Sequence, residues 1–361
     1  MRVTHATTSH YRLPRDVWSP LPIEASQYTA NDFEIVTCEI ETDTGATGFG
    51  FTYTTGRGGS AIRAALADEI IPVITGRECS QVDALWYELH ELLQFVGTGV
   101  TSAAIAAADI AIWDARGRDA GLPLFRLLGA HRNSIPAYAS GVNLAYNTDQ
   151  LVEEVSGFRA AGFGAVKIKI GGSLHDDLER LRAVRDAVGD DTTLMVDAGM
   201  AWDLGEAARR VRRLEPFDLT WLEQPLAPSD LHGYATLQAG TSIPLAAGES
   251  FVGPSEFGEY LRRDAIRVVQ PNAIRLGVSG WLRTARLADV LHVRVAPHFI
   301  PDIHAHLACA VPNATWLEHL PFYQRLLLTP IEIRDGLARP SAIPGHGMAF
   351  DPDVIDRYCV A

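Results

Sequence analysis

The only two lysines of this 361-residue chain are Lys167 and Lys169, which lie two residues apart, although lysine and arginine together number 31. Arginine therefore fills every other position with a permanent positive charge. Arginine keeps its proton inside a protein, whereas a lysine amine whose pKa is lowered can lose it. The segment AVKIKIGG, which holds both lysines, is thus where the sequence indicates an amine that acts as a base, and we expect Lys169 to be that base.

Three carboxylates end successive short apolar runs. Asp197 ends TLMVD, Glu223 ends LTWLE and Glu249 ends IPLAAGE, and the spacing is 26 residues in each case (197 to 223, 223 to 249). Carboxylates gathered at one point repel each other unless a cation lies among them, so this carboxylate triad predicts a metal site. Oxygen ligands favour Mg²⁺, with Mn²⁺ second. The alternative is a set of salt bridges to arginines such as Arg275 or Arg294.

Eight apolar runs alternate with helical stretches from about residue 133, which predicts a (β/α) barrel whose last helix is modified or absent. A doubly wound open sheet is the alternative, but no glycine-rich dinucleotide motif follows the first run. The predicted strands begin near Ile135, Ala165, Thr193, Leu219, Ile243, Ile266, Val293 and Thr315.

Other polar side chains also lie where these strands end. The carboxyl ends of barrel strands meet at one mouth, where active sites are found, so we expect these side chains to surround the carboxylate triad. A metal there would stabilise the enediolate formed when Lys169 removes the proton next to a substrate carboxylate. His298 would serve as a second acid or base, although a structural histidine is the alternative. The further strand-end residues are Ser140, Gln270, Asn272, His298 and Glu318.

The first 130 residues have a different pattern. Strands with a hairpin turn at DTGATG precede helices around 60–73, 81–95 and 101–119, which predicts an α+β domain. The third helix has one polar interruption of its apolar face, at Asp109. We therefore predict an N-terminal domain over 1–130, a barrel over 131–322 and a C-terminal segment over 323–361 that packs on the N-terminal domain.

The charge and the apolar runs of the chain limit its partners. A formal net charge of −13 repels nucleic acid and anionic lipid, so we expect neither as a partner. No run approaches the ~18 apolar residues of a membrane span, and the four cysteines show neither metal-site nor disulfide spacing. We expect a cytoplasmic protein whose partner is a small carboxylate substrate.

The chain resembles the enolase superfamily and, within it, the mandelate racemase subgroup (the mandelate racemase/muconate lactonizing enzyme family). The resemblance implies a (β/α)₇β modified TIM barrel under an α+β capping domain, with Mg²⁺ bound by the carboxylate triad. It also implies Lys169 as the base on one face, Lys167 beside it, His298 serving the other face, and a homo-oligomer. The motifs that carry it are AAADIAIWDARGRDAGLPLFRLLG, KIK, VDAGMAW, WLEQP, AAGES, QPNAIRLGVSGW, APH and TWLE.

Two departures from the subgroup pattern affect the expected reaction. Asn272 stands where the subgroup has an aspartate beside its histidine, which weakens His298 as a base. Gly199 and Met200 stand where the family often has polar residues, which predicts a locally less hydrophilic pocket. Separately, the sixth strand has no lysine, which counts against the related subgroups that make or open lactones and epimerise dipeptides.

We therefore expect dehydration of a sugar acid, an aldonate or aldarate, to a 2-keto-3-deoxy acid. A cycloisomerase of a sugar-acid lactone or anhydro sugar acid, and a racemase or epimerase of a 2-hydroxy acid, stay open. A non-enzymatic binding protein would need the lysines and the carboxylate triad to have lost their use.

Substrate contacts are expected from the site and from the N-terminal domain. Lys167, Asn272 and Glu318 would bind substrate, and Ser140 would contact its carboxylate. Two segments, RLPRDVWSPLP and TYTTGRGG, are predicted to close over the site, although an ordinary surface turn is the alternative for the second. Their candidate contact residues are Arg15, Trp18, Tyr53 and Arg57.

Overall fold

The computed structural model describes residues 1–19, 32–320 and 322–360. The chain begins with an antiparallel sheet in the order β1-β2-β3, and the predicted turn at DTGATG joins its second and third strands. Residues 20–22, the end of the predicted closing segment RLPRDVWSPLP, lie outside the described residues. The strands are β1 Val3–Pro14, β2 Asp32–Thr42 and β3 Thr47–Thr54.

Helices cover one face of this sheet, and three of them match the predicted segments closely. The first is interrupted by a π-helical stretch, Ala65–Ile70, which joins α2 to α3, and a 3₁₀ turn, Cys79–Gln81, precedes α4. The helices are α1 Arg15–Trp18, α2 Gly59–Ala64, α3 Ile71–Ile74, α4 Val82–Leu92, α5 Val100–Asp119 and α6 Leu124–Leu127.

The alanine-rich helix α5 lies very close to the sheet, because β3 carries glycine where the two meet. A Cβ built on Gly50 would lie 2.0 Å from the carbonyl oxygen of Ala107, and one on Gly48 would lie 2.1 Å from that of Ala111. Most of α5 is buried on every side. It therefore forms the centre of the N-terminal domain.

Eight strands of the described chain form the predicted parallel barrel. Seven are paired in the order β10-β9-β8-β7-β6-β5-β4, β11 pairs with β4, and a parallel bridge from Val295 to Ala314 closes the ring. The first four begin at the predicted residues, whereas the last four are shorter and begin one or two residues later. They are β4 Ile135–Ser140, β5 Ala165–Lys169, β6 Thr193–Asp197, β7 Leu219–Glu223, β8 Leu245–Ala247, β9 Val268–Val269, β10 Arg294–Val295 and β11 Leu317–His319.

Seven helices connect these strands, which confirms the (β/α)₇β arrangement. Helix α12 is broken at Gly277, whose φ is 66°, and a 3₁₀ turn, Glu215–Phe217, follows α9. The connecting helices are α7 Thr148–Ala160, α8 Leu174–Val188, α9 Leu204–Leu214, α10 Leu231–Ala239, α11 Pro254–Arg262, α12 Ala273–Val290 and α13 Pro301–Ala310.

The barrel interior is filled by one layer of side chains, and polar groups lie above it. The layer consists of Tyr138, Ala165, Met195, Trp221, Ala246, Val268 and Ala296. Successive strand residues point to opposite faces, so the residue two positions further also points inward. On six strands that residue is polar: Ser140, Lys167, Asp197, Glu223, Gln270 and His298.

The C-terminal residues contact both parts of the molecule. The hairpin of β12 Ile333–Arg334 and β13 Leu337–Ala338 adds to the barrel through antiparallel pairing with β4. Further on, Phe350 packs on Phe51 of β3, with ring centroids 5.2 Å apart. Short helical pieces are the 3₁₀ turns Gln324–Leu326 and Asp356–Tyr358 and the helix α14 Pro352–Ile355. Across the described residues, no helix has the length and apolar character to cross a bilayer.

Candidate active site

Strand β5 carries both lysines into the mouth of the barrel, where both are buried. The Lys167 Nζ donates to both carboxylate oxygens of Glu223, at 2.8 and 2.9 Å, and lies 2.8 Å from Glu318 Oε1. Burial acts to lower the pKa of Lys167, but Glu223 and Glu318 outweigh it and hold the pKa well above its usual value. Lys167 is therefore a fixed positive charge.

Lys169 lies at the end of β5 and faces the next strand. Its Nζ donates to Asp197 Oδ2, and its backbone N–H donates to Asn143 Oδ1 at 3.0 Å. The second contact fixes the end of the strand, because Asn143 follows β4. The Lys169 side chain is slightly more exposed than that of Lys167, and it pairs with Asp197, the first carboxylate of the triad.

Each carboxylate of the triad is drawn to its own cationic partner. Asp197 faces Lys169, Glu223 faces Lys167, and Glu249 faces His298. In the described part of the chain, the one set of three ligand residues whose donor atoms all lie within 4.8 Å is elsewhere: His175, Asp176 and Glu179, exposed at the start of α8. The ligand oxygens of the triad therefore do not all lie within 4.8 Å of one another in this structure.

The charges around Glu223 show that this cluster suits a divalent cation. Burial raises the pKa of Glu223 to about 7, opposed by Lys167 and reinforced by the charges of Asp197, Glu318 and Glu249. Four carboxylates therefore share two lysine charges within one buried volume. An excess of buried negative charge on oxygen ligands is the donor chemistry that Mg²⁺ prefers, so the residues fit the expected metal.

Asn272 begins α12 and contacts His298 across the mouth. Its Oδ1 accepts from the N–H of Ile274 at 3.2 Å, which leaves Nδ2 directed at His298 Nδ1, at 3.2 Å. Because Nδ2 is a donor, the contact favours a ring whose Nδ1 is unprotonated and whose proton is on Nε2. The Nε2 atom lies 2.9 Å from Glu249 Oε2. In the neutral ring, Nε2 therefore carries the hydrogen and donates a hydrogen bond to Glu249.

Glu249 and His298 shift each other's protonation. Burial acts to raise the pKa of Glu249, but His298 lowers it to about 2. Burial likewise lowers the pKa of His298, but Glu249 more than offsets this and raises it above its usual value. The pair therefore adds a proton donor on the side of the mouth opposite Lys169.

Glu318 and Ser140 close the ring of polar residues beneath the mouth. Burial acts to raise the pKa of Glu318, but Lys167 and His298, with a smaller contribution from Ser140, hold it well below its usual value. Glu318 Oε2 also accepts from the N–H of Phe299 at 2.8 Å. Both residues are buried.

A cavity of about 220 Å³ opens above His298 and Glu249, between the barrel and the N-terminal domain. Of the predicted closing residues, Trp18 and Tyr53 line it, whereas Arg57 is exposed and does not. Arg15 is buried, with its guanidinium 6.0 Å from the centre of the Trp18 ring. The full lining is Trp18, Phe33, Tyr53, Thr55, Glu249, Ser250, Asn272, Arg275, His298, Phe299, Leu320 and Phe322.

Two residues after the triad aspartate, the chain turns away from this cavity. Gly199 donates its N–H to Asp197 Oδ1 at 2.8 Å. Met200 is 44% exposed and is not among the residues that line the cavity. The departure at Gly199 and Met200 therefore acts on the orientation of the aspartate.

Sequence reasoning placed Gln270 at this mouth but did not identify the other residues that hold the site. Trp221 Nε1 donates to Glu223 Oε2 at 3.1 Å, and Gln270 Nε2 donates to the same oxygen at 2.6 Å. Strand alternation contained a signal for Trp221, which lies two residues before Glu223 and so on the same face. Asn143 lies in a loop, so its contact with Lys169 had no signal in the sequence. Arg275 was considered only as a salt-bridge partner, and its position in the cavity lining had no signal either.

Two family models together match most of the chain. The model described as the mandelate racemase/muconate lactonizing enzyme N-terminal domain matches residues 9–129, and the one described as enolase C-terminal domain-like matches residues 150–354. The first match covers the sheet and α5, and the second covers most of the barrel and the C-terminal hairpin.

Known proteins are similar over nearly the full length. The chain is 32% identical to a 3,6-anhydro-α-L-galactonate cycloisomerase of Streptomyces coelicolor, over 99% of each chain. It is 38% identical to an L-talarate/galactarate dehydratase of Salmonella typhimurium, over 90% of this chain and 82% of that one. The structure superimposes with a TM-score of 0.93 on L-talarate dehydratase from Polaromonas sp. JS666 complexed with Mg and L-glucarate, at 34% identity, over 100% of this chain and 98% of that one. The chain belongs to the mandelate racemase/muconate lactonizing enzyme family of the enolase superfamily.

Proposed function

We propose that this protein dehydrates a sugar acid, an aldonate or aldarate, to a 2-keto-3-deoxy acid. The proton at C2 passes to Lys169, the hydroxyl at C3 leaves as water with a proton from the imidazolium form of His298, and the resulting enol becomes the ketone. Burial acts to lower the pKa of that ring, but Glu249 raises it above its usual value and so favours the imidazolium. The observation that carries this proposal is the pair of unlike groups on opposite sides of the mouth: an amine next to Asp197 and an imidazole whose Nε2 lies 2.9 Å from Glu249 Oε2. The similar dehydratases support it.

The carboxylate triad would hold Mg²⁺, or Mn²⁺ in its place. Bound there, the ion acts as a Lewis acid that stabilises negative charge on the substrate carboxylate as the C2 proton leaves. The proposal is supported by the excess of buried carboxylates over lysines, and by relatives whose structures contain magnesium. Glu318, which is bound by Lys167 and Ser140, is left as a supporting charge.

The two lysines have different roles in this proposal. Lys167 is locked by Glu223 and Glu318 and keeps its proton, so it attracts and orients the substrate carboxylate. Lys169 has a contact with a single triad carboxylate in the ion pairs described, which an occupied metal site would share. Of the two amines, Lys169 is therefore the base.

His298 is better suited to donate a proton than to accept one. The imidazolium carries a proton on Nδ1, where the Asn272 amide hydrogens already point, so this contact does not stabilise the charged ring. Two donors that face each other are unfavourable, because neither finds an acceptor. The charged ring therefore gives up its proton more readily, and the neutral ring is a weaker base, than beside a carboxylate. This favours elimination over racemisation, which needs a competent base on both faces of the substrate.

A panel of aldonates and aldarates incubated with the protein and Mg²⁺ tests the proposal. We expect a 2-keto-3-deoxy product from at least one acid, no product with Lys169→Ala or His298→Ala, and unchanged activity with His232→Ala, which alters an exposed histidine. If no acid on the panel loses water while Mg²⁺ is bound, the dehydratase proposal is wrong.

A cycloisomerase is the second candidate, because the Streptomyces coelicolor relative matches over 99% of each chain. That reaction rearranges a lactone or an anhydro sugar acid without loss of water. The mass of the product separates the two reactions, since only dehydration lowers it. Racemisation of a 2-hydroxy acid would instead show as deuterium entering C2 with inversion in D₂O.

Three further proposals concern the domain bounds, the assembly and the compartment of the protein. Residues 1–130, 131–322 and 323–361 form the capping domain, the barrel and the C-terminal segment, which is consistent with family matches that end at 129 and resume at 150. The protein forms a homo-oligomer. It works in the cytoplasm with a small carboxylate substrate, which its four free cysteines support.

A further inference from the structure

Arg275 is a half-buried cation that the reaction described above does not use. It lies in the first turn of α12 and lines the cavity together with Glu249, Asn272 and His298. Among the residues that the structure describes, no carboxylate oxygen lies within 4.0 Å of its guanidinium, and no acceptor makes a hydrogen bond with it. Within the described part of the chain, the guanidinium thus lines the cavity without a protein partner.

Other arginines packed on the barrel are engaged. Arg180 donates to the carbonyl oxygens of Tyr146 and Asn143 at 2.7 and 2.8 Å. Arg210 lies 2.6 Å from Asp177 Oδ2. This acidic chain has 44 aspartates and glutamates and could readily supply a partner. The lack of one at Arg275 indicates that the guanidinium is kept available for a ligand.

The surroundings of Arg275 would strengthen its interaction with an anion. Six of the cavity residues are aromatic or aliphatic, so the walls exclude water and reduce screening. A guanidinium presents a planar fork of donors that matches a carboxylate in two parallel hydrogen bonds. The six apolar residues are Trp18, Phe33, Tyr53, Phe299, Leu320 and Phe322.

The position of Arg275 relative to the reacting groups suggests which part of a ligand it meets. Asn272, at the start of α12, contacts His298, and side chains three residues apart on a helix are neighbours, about 5–6 Å apart at Cβ. Arg275 therefore lies one helical turn beyond the reacting end. A substrate whose C2 lies between Lys169 and His298 would extend its far end toward Arg275.

We propose that Arg275 binds the second carboxylate of an aldarate and thereby makes the site selective for sugar diacids over aldonates. This proposal rests on the proposed dehydration, and it narrows the expected substrates from aldonates and aldarates to aldarates alone. The first carboxylate is bound at the triad and Lys167, and the second by the guanidinium. Arg275 is thus a specificity residue that does not touch the reacting atoms.

Steady-state kinetics with matched diacid and monoacid substrates test the proposal. Arg275→Gln is expected to lower kcat/KM for the aldarate by roughly 10- to 100-fold, mostly through KM, because a charge-assisted hydrogen bond is lost. The corresponding aldonate should change by less than about 3-fold. Arg286→Gln, an exposed change on the same helix, is the matched control and should alter neither. Equal losses for both acids, or no loss for the aldarate, would overturn the proposal.

Binding measurements separate failure of this inference from failure of the proposed function. In a Lys169→Ala background with Mg²⁺, calorimetry should show an aldarate binding more tightly than its aldonate, and Arg275→Gln should abolish that preference. This binding comparison is informative even if the wild-type protein turns over no sugar acid. Where Arg275→Gln does not fold, Arg275→Lys replaces it, with a smaller loss expected for the aldarate alone. A preference that survives either change contradicts the role of Arg275.

Discussion

The Asn272 side chain lies between two groups that together fix its orientation. Oδ1 accepts from the Ile274 N–H, so Nδ2 is left for His298 Nδ1. An aspartate at this position would accept from Nδ1–H and stabilise an imidazolium, and it would free Nε2 to take a proton. The amide instead favours the form with its proton on Nε2. One side chain thus affects how strongly the imidazole on the second face of the site holds its proton.

The Asn272→Asp variant is therefore expected to gain base activity at His298. A carboxylate beside Nδ1 favours the charged ring and should raise the pKa of His298 by about one unit or more. The ring titration can be followed by NMR, and exchange at C2 by deuterium uptake in D₂O. We expect faster exchange from the His298 face and slower dehydration, whereas Asn133→Asp, on the exposed surface, should leave both unchanged. An unshifted imidazole titration in Asn272→Asp would contradict this account of the amide.

At the scale of elements, helix α5 holds the broken helix α12 through Asp109. The Asp109 carboxylate accepts from the N–H and the hydroxyl of Ser279, at 2.9 and 2.5 Å, just after the break at Gly277. A Cβ on Gly277 would lie 2.5 Å from Asp109 Oδ2, so glycine is required there. The polar interruption seen in the sequence of α5 is thus a cap for the second half of α12. The first half carries Asn272 and Arg275.

The buried carboxylate of Asp109 should make stability depend on pH. Burial raises its pKa to about 6, so the folded protein holds this proton more tightly than the unfolded chain. The resulting stabilisation is present below about pH 4 and is lost as the pH rises through 6, by about 3 kcal/mol. Urea unfolding from pH 4 to pH 7 should show this loss in the wild type and not in Asp109→Asn. The exposed control Asp289→Asn should keep the wild-type profile; a parallel profile for Asp109→Asn would refute the assignment.

The stability of the contact between β3 and α5 should be sensitive to the addition of a single methyl group. In Gly50→Ala the new Cβ would meet the Ala107 carbonyl at 2.0 Å, so sheet and helix must move apart. We expect a loss of about 3 kcal/mol in the free energy of unfolding, measured by urea titration. Gly157→Ala is the control: it is exposed within α7 with nothing within 4 Å, and it should stabilise by about 0.5–1 kcal/mol. Similar stability of Gly50→Ala and wild type would show that the interface can relax.

For the molecule as a whole, the elements that repeat along the sequence were predicted correctly, whereas the features that depend on single side-chain contacts were not. Alternating apolar runs that end in polar residues located the barrel strands, and β5 and β6 begin where predicted, at Ala165 and Thr193. The hairpin β12–β13 had no such signal, because two-residue strands are too short to show a period. Likewise, the orientation of Asn272 and the lack of a partner for the Arg275 guanidinium among the described residues depend on neighbours that are distant in sequence. Position along a strand was therefore predictable, but the partner of a side chain was not.

Metal binding should affect the stability of the whole molecule. The triad comes from three strands, and the repulsion between its carboxylates destabilises the closed barrel. Mg²⁺ should therefore raise the midpoint of thermal unfolding, with a stabilisation of about 2.7 kcal/mol at a concentration 100 times its Kd. Glu223→Gln should remove most of that shift, and a chelator should reverse it in the wild type. The matched control is Glu179→Gln, in the exposed cluster at the start of α8; it should leave the shift intact. If instead Glu179→Gln abolishes the shift and Glu223→Gln does not, the ion binds outside the barrel, and the roles proposed for the triad are wrong.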